Sequence, residues 1–289
     1  MGTRKFNARS LVRGVFSIVA FLLLWELGSR SRQWLGADIF APVRDALGAM
    51  GFKKTYLPWV GAIPAPSEVL TAWAGVVTDA GYWQSWYKST FRVLAGFTAA
   101  MLIGIPFGLL LAVNRTAFGI GFPVFEVLRP IPPLAWVPAS IIFWPTQELS
   151  IAFVTFLGAF YTIVINVVGG AKSIDQRYFQ AAQSMGSSKW DIFRRIILPG
   201  TLPSIMVGSA VGMGITWEVV VAAEMISGGG SQTGGTGGGG LGFFIWNSYV
   251  GGSYQQIVVG MISIGIAGFI SSELLRSLGH YVTPWLRLR

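Results

Sequence analysis

Long apolar runs alternate with short polar islands along this 289-residue chain. Six of the runs predict membrane-spanning helices at about 14–29, 90–113, 121–144, 149–171, 202–226 and 255–275, each near the roughly 20 residues that a helix needs to cross hydrocarbon. None of the chain shows the short alternating segments of a β-barrel. The pattern predicts an all-α integral membrane protein in four parts. These are an N-terminal tail and first helix (1–29), a Pro- and aromatic-bearing connection with short interfacial helices (30–89), a helical core (90–275) and a tail (276–289).

Composition agrees with the pattern. Charged residues make up 11% of the chain, against about a quarter in soluble domains. The absence of cysteine excludes disulfides and thiolate chemistry. The single histidine, His280, leaves little for zinc sites or His-dependent nucleophiles. The net charge of +9 is spread through the loops, so it reads as a topology signal and as contact with anionic lipid rather than with nucleic acid. The first apolar run is too long for a signal peptide and no small-residue cleavage site follows it. With the N-terminus inside, 13 Lys and Arg fall in cytoplasmic segments and 7 outside. That favours a multi-pass protein of a bacterial plasma membrane with residues 173–201 in the cytoplasm and 30–89 outside. Residues 227–242 hold ten glycines in sixteen positions; no Gly-Lys-Ser/Thr follows, so they read as a mobile linker rather than a phosphate loop.

The polar island AAQSMGSSKWDIFRRIILPG, residues 181–200, has a two-part design. Ile174, Tyr178, Ala181, Ala182 and Met185 share one helical face. Gly186 then supplies the left-handed residue that ends a helix. Ser188 through Asp191 has the form of a capping box opening a second helix, with Trp190, Phe193, Ile196 and Ile197 on one face. Pro199 is expected to stop that helix. A basic loop lying on lipid is one reading. A hinged helix-turn-helix knob that inserts into a groove of another protein is the other.

The spacing Ala-Ala, three residues, Gly, nine residues, Ile-x-Leu-Pro resembles the cytoplasmic signature of ABC-importer permeases. Gln180, Ala181, Ala182, Gly186, Ile196, Leu198 and Pro199 occupy its positions, with Gln180 where the signature has Glu. IPAPSEVL (63–70), RPIPPLAWVP (129–138) and WEVVVAAEMISG (217–228) before LGFFIW (241–246) are similar to the nitrate, bicarbonate, taurine and alkanesulfonate group. The resemblance covers roughly residues 60–275 and implies a type I importer-like permease with about six spans. It implies a homodimer docked through residues 174–198 on two cytoplasmic ATPase subunits, which would bind ATP and Mg. A separate binding protein would deliver the substrate, and this chain would bind no cofactor of its own. Met185, Trp190 and Phe193 join the signature residues as the expected coupling surface.

Ionisable residues inside spans are functional candidates by default. Arg129 either draws an oxyanion along a pathway or pairs with Glu126 or Glu218. Glu126, Glu218, Glu224, Glu26 and Glu273 are the in-span acids. Pro130, Pro132, Pro133 and Pro138 break the third span, and irregular backbone at membrane depth lines cavities or is covered by protein. The candidate pathway is therefore Arg129, Pro130, Pro133, Trp136, Trp217 and Glu218, with the tryptophans as gates or as packing. An ion-coupled secondary transporter would show matching broken helices in both halves, and a membrane-embedded enzyme would need nucleophiles that are scarce here. Both are weaker readings than a permease.

Overall fold

The computed structural model describes residues 8–52, 56–228 and 239–285, and every regular element among them is helical. The linker reading for the glycine-rich segment falls largely on residues 229–238, outside the described residues, as do the basic residues 1–7. The chain divides into two units, Met1–Asp79 with Ser248–Val259 and Ala80–Asn247 with Gly260–Arg289.

In the first unit α1 (Ala8–Ser29) leads to the short helices α2 (Ser31–Trp34), α3 (Ala41–Ala49) and α4 (Pro66–Val76). Phe16, Phe21 and Leu24 on α1 are exposed, as suits a helix facing lipid. One carboxylate joins its far end to α4. Glu26 accepts from Arg30 Nε at 2.6 Å, from the Ser67 amide at 3.1 Å and from the Ser67 hydroxyl at 2.9 Å. The in-span acid is thus satisfied by a helix N-terminus and a neighbouring cation.

The second unit is built on α5 (Ala80–Val113), followed by α6 (Arg115–Leu128), α7 (Val137–Phe143), α8 (Gln147–Lys172), α9 (Gln176–Ser184), α10 (Lys189–Ile192), α11 (Leu198–Gly228), α12 (Leu241–Val250) and α13 (Tyr254–Val282); the end of α12 and the start of α13 fall in the first unit. Lipid offers no hydrophobic drive for helix association, so close approach at small residues has to supply the packing. Glycines do this along both faces of α8. Gly104 and Gly108 of α5 meet Ile163 and Val167, while Gly158, Gly170 and Gly212 bring α8 and α11 to van der Waals range. The buried core of α8 follows from these seams: Val154, Ala159, Ile163, Val164 and Val167 are fully buried.

Among the described residues five helices are long and apolar enough to cross a membrane, and the expected third span is not among them. The run 121–144 is broken into α6, a 3₁₀ turn at Pro133–Trp136 and α7, because prolines 130, 132 and 133 remove successive backbone donors. The segment still traverses the unit, since α5 ends beside the 173–200 island and α8 starts at the opposite, far end. The second span also starts earlier than its apolar run implies, at Ala80, so Lys88 lies on the helix and not in a loop.

Candidate functional site

The 173–200 island is a knob between the end of α8 and the start of α11. Asp175 caps α9 by accepting from the Arg177 amide at 2.9 Å. The helix closes in a Schellman turn: Ser187 N–H donates to Ala182 O at 3.0 Å and Gly186 N–H to Gln183 O at 2.9 Å. Gly186 has φ +74°, with nothing near its missing side chain. Glycine is thus required there by backbone conformation alone.

Ser188 starts the second helix, its Oγ accepting from the Asp191 amide at 3.2 Å and bonding the Asp191 carboxylate at 2.5 Å. Removing that cap in Ser188→Ala is expected to cost about 1 kcal/mol of local stability, read as faster amide exchange over residues 189–192 with the spans unchanged.

Pro199 does not stop this helix. Residues Phe193–Ile197 form a π-turn in which Leu198 N–H bonds Phe193 O, and α11 continues directly from it. The wider turn absorbs the proline, which has no N–H and whose ring crowds the preceding turn. The knob is therefore welded to α11, and Ile174 packs on Gly200 at its base.

Of the coupling candidates, Ala182 is buried, Phe193, Ile196 and Pro199 are half-buried, and Gln180, Ala181 and Gly186 are exposed, as Leu198 is at 37%. Met185 and Trp190 are 78% and 66% exposed, the Trp190 ring stacked on Phe193 at 5.5 Å. Two large apolar side chains held open on a capped turn, in a segment that also carries the exposed Arg177, Lys189, Arg194 and Arg195, form a surface shaped to be covered.

The pathway candidates fall in three settings. Arg129 ends α6 and pairs with Glu126 at 3.5 Å, both side chains near half exposure; it makes no ion pair with Glu218. Pro130 is exposed, Pro133 and Trp136 are half-buried, and the turn they share packs against α8 and α11. The Trp136 Nε1 donor is buried without a partner among the described residues. Trp217 is buried, its Nε1 donating to Ser271 Oγ of α13 at 3.0 Å. Glu218, one residue on, is exposed on a helix whose other carboxylate, Glu224, is buried.

Arg92, at the outer edge of the predicted second span, was not among the candidate site residues, and the structure buries it. Its guanidinium forks onto Glu148, at 2.7 and 2.5 Å, and reaches Glu224 at 2.8 Å. Glu224 had been singled out as an in-span acid without its partner. The available signal was that a lone carboxylate at membrane depth demands a cation, and Arg92 is the nearest one to the apolar run of the second span.

Similarity to known proteins agrees with this geometry. Residues 104–288 match the family described as "Binding-protein-dependent transport system inner membrane component". The nitrate import permease protein NrtB of Leptolyngbya laminosa is 35% identical over 210 residues, covering 73% of this chain and 72% of the relative. The taurine transport system permease protein TauC of Escherichia coli is 33% identical over 228 residues, 77% of this chain and 80% of the relative. In fold the chain is like the permease in an inward-facing structure of the MetNI methionine ABC transporter, with a TM-score of 0.56 over 68% of this chain and 94% of that one, at 19% identity. Capped knob, glycine-seamed helices and matched sequence converge: this chain belongs to the family of inner-membrane permease subunits of binding-protein-dependent ABC importers.

Proposed function

We propose that the chain translocates a small oxyanion, nitrate or bicarbonate first and taurine or another sulfonate next, by alternating access. It works as a homodimer with its N-terminus and knobs in the cytoplasm. Each knob seats on a separate ATP-binding subunit that holds ATP and Mg, and a binding protein delivers the anion from outside. Closure of the ATPases draws the two knobs together and turns the permease outward; hydrolysis returns it.

The observation that carries the reading is the uncovered Met185–Trp190 face on a turn locked by two caps. A lipid-surface loop gains nothing from a fixed hinge, whereas a partner groove requires one. The preference for an inorganic oxyanion rests on likeness in the third span and in AEMISG…LGFFIW, and fold adds nothing to it.

Glu218 supports a pathway at the dimer axis. An exposed carboxylate about two-thirds of the way along a 31-residue, largely apolar helix is too costly to face lipid and belongs against protein or water. The Trp136 donor and Arg129 lie on the broken third crossing, where irregular backbone lines a cavity. Glu218→Gln is expected to leave assembly intact and to reduce ATP-driven uptake about tenfold, equivalent to ~1.4 kcal/mol. Unchanged uptake together with a more stable protein would instead put Glu218 against lipid.

The test is uptake of isotopically labelled nitrate, bicarbonate and taurine by proteoliposomes containing this subunit, its ATPase and its binding protein. Accumulation of one anion, dependent on ATP and on the binding protein, is expected. ATP-independent uptake driven by an ion gradient would overturn the reading.

A further inference from the structure

The Arg92 cluster sits at the end of the second unit opposite the knob and lies outside the pathway just described. Every donor of its guanidinium that faces the core is used. Nε and one terminal nitrogen grip the two oxygens of Glu148 on α8, and the other terminal nitrogen bonds Glu224 on α11 and the Gly239 carbonyl at 2.5 Å. Glu224 is equally saturated. It also accepts from Ser89 Oγ at 2.8 and 2.9 Å and from the Gly242 amide at 2.9 Å. Ser89 Oγ in turn accepts from the Leu241 amide at 2.8 Å. The network thus caps the N-terminus of α12 with a carboxylate and a hydroxyl borrowed from α11 and α5.

The chain entering α12 is shaped to this cluster. Gly239 and Gly240 have φ +141° and +119°, and a side chain on Gly240 would overlap the Glu224 carboxyl group. A side chain on Gly242 would overlap the Val221 carbonyl, which is backbone and cannot move aside. Arg92 and Glu224 are 3% and 0% exposed, so both have been stripped of water. Apolar side chains of similar volume would hold such a site as well or better. Retaining the buried Arg92–Glu224 pair there, with Glu148 half-exposed at its rim, fits a need for one defined arrangement rather than for stability alone.

The rest of the unit says what that arrangement serves. The knob is welded to α11 through the π-turn and joined to α8 directly, and α8 is locked to α5 and α11 by zero-clearance glycines over its length. These three helices form a rod with the knob at one end and the Arg92 cluster at the other.

We infer that Arg92 is a positioning residue that fixes α12 to this rod, so that displacement of the knob is delivered to α12 without slack. The inference rests on the importer reading for what moves the knob, but the attachment itself can be measured without transport.

The chain has no cysteine, so spin labels can be placed at Leu149→Cys on α8 and Asn247→Cys on α12, both exposed, in the full reconstituted transporter. A single narrow distance distribution is expected in the parent, with and without trapped nucleotide. In Arg92→Met the distribution should broaden and gain a longer population, while the ATPase subunits still co-purify. Ser89→Ala removes the Leu241 acceptor with no charge left unpaired and should show a smaller shift of the same kind; it carries the test if Arg92→Met does not fold. Narrow distributions in the folded variants, accompanied only by a lower unfolding temperature, would overturn the inference and leave Arg92 a stabilising residue. A failure of the importer reading would appear separately, as absent ATPase association in the parent.

Discussion

Gly186→Pro is expected to disconnect the permease from its ATPase while leaving the membrane helices folded. The proline ring fixes φ near −65°, and residue 186 sits at +74°. The substitution also removes the amide that donates to Gln183 O. The Schellman turn therefore cannot form, and the angle between α9 and α10 that presents Met185 and Trp190 is lost. A local penalty of about 3 kcal/mol or more corresponds to at least about a hundredfold loss in affinity for whatever the knob docks into. Gly186→Ala separates conformation from sterics. Nothing lies within 4 Å of its added methyl, so only the left-handed backbone is penalised, by about 1–2 kcal/mol. Co-purification of ATPase should fall in the order glycine, alanine, proline, with unchanged detergent-phase elution of the subunit. A proline variant that binds its ATPase normally would return residues 174–198 to a surface loop.

The second large effect is expected in the seam between α5 and α8. A methyl group added at Gly96 would overlap the Thr155 side chain and come within 2.9 Å of the Phe156 amide nitrogen. Thr155 is fully buried and bonded to the carbonyls of Ile151 and Ala152, so it has no other place to go, and the helices must separate. Overpacking of this kind costs about 1–3 kcal/mol, and close approach is the main source of helix association in lipid. Gly96→Ala should thus lower the unfolding temperature and the yield of monodisperse protein. Gly169→Ala is the control on the same helix pair. It meets nothing within 4 Å and should be neutral or stabilising by about 0.5–1 kcal/mol. Equal behaviour of the two variants would show that the seam is looser than its geometry.

Much of the architecture could be read from hydropathy because lipid imposes a simple rule: apolar runs of bilayer length are helices. The knob was readable for a different reason. Its start and stop signals, Ser188 with Asp191 and Gly186, act locally and carry their geometry with them. Pro199 misled because a proline is a breaker only if the preceding turn stays α-helical, and the π-turn that accommodates it has no signature in the sequence. The third crossing was legible as broken but not as two helices, since the prolines mark where donors are missing and not how the chain resumes. Arg92 was illegible from its neighbourhood. Its burial depends on Glu148 and Glu224, which lie 56 and 132 residues away, and only tertiary structure brings such charges together. Overall identity does not separate substrates, because relatives named for nitrate import and for taurine transport match this chain at nearly equal identities of 35% and 33%.

The most direct test of the coupling account is ATP hydrolysis by the complete transporter in proteoliposomes, with its binding protein supplied empty or loaded. The account predicts hydrolysis stimulated by the loaded binding protein in the parent, and hydrolysis indifferent to it in Gly186→Pro. Stimulation that survives in a folded Gly186→Pro transporter would contradict it, since the signal would then reach the ATPase by a route other than the knob.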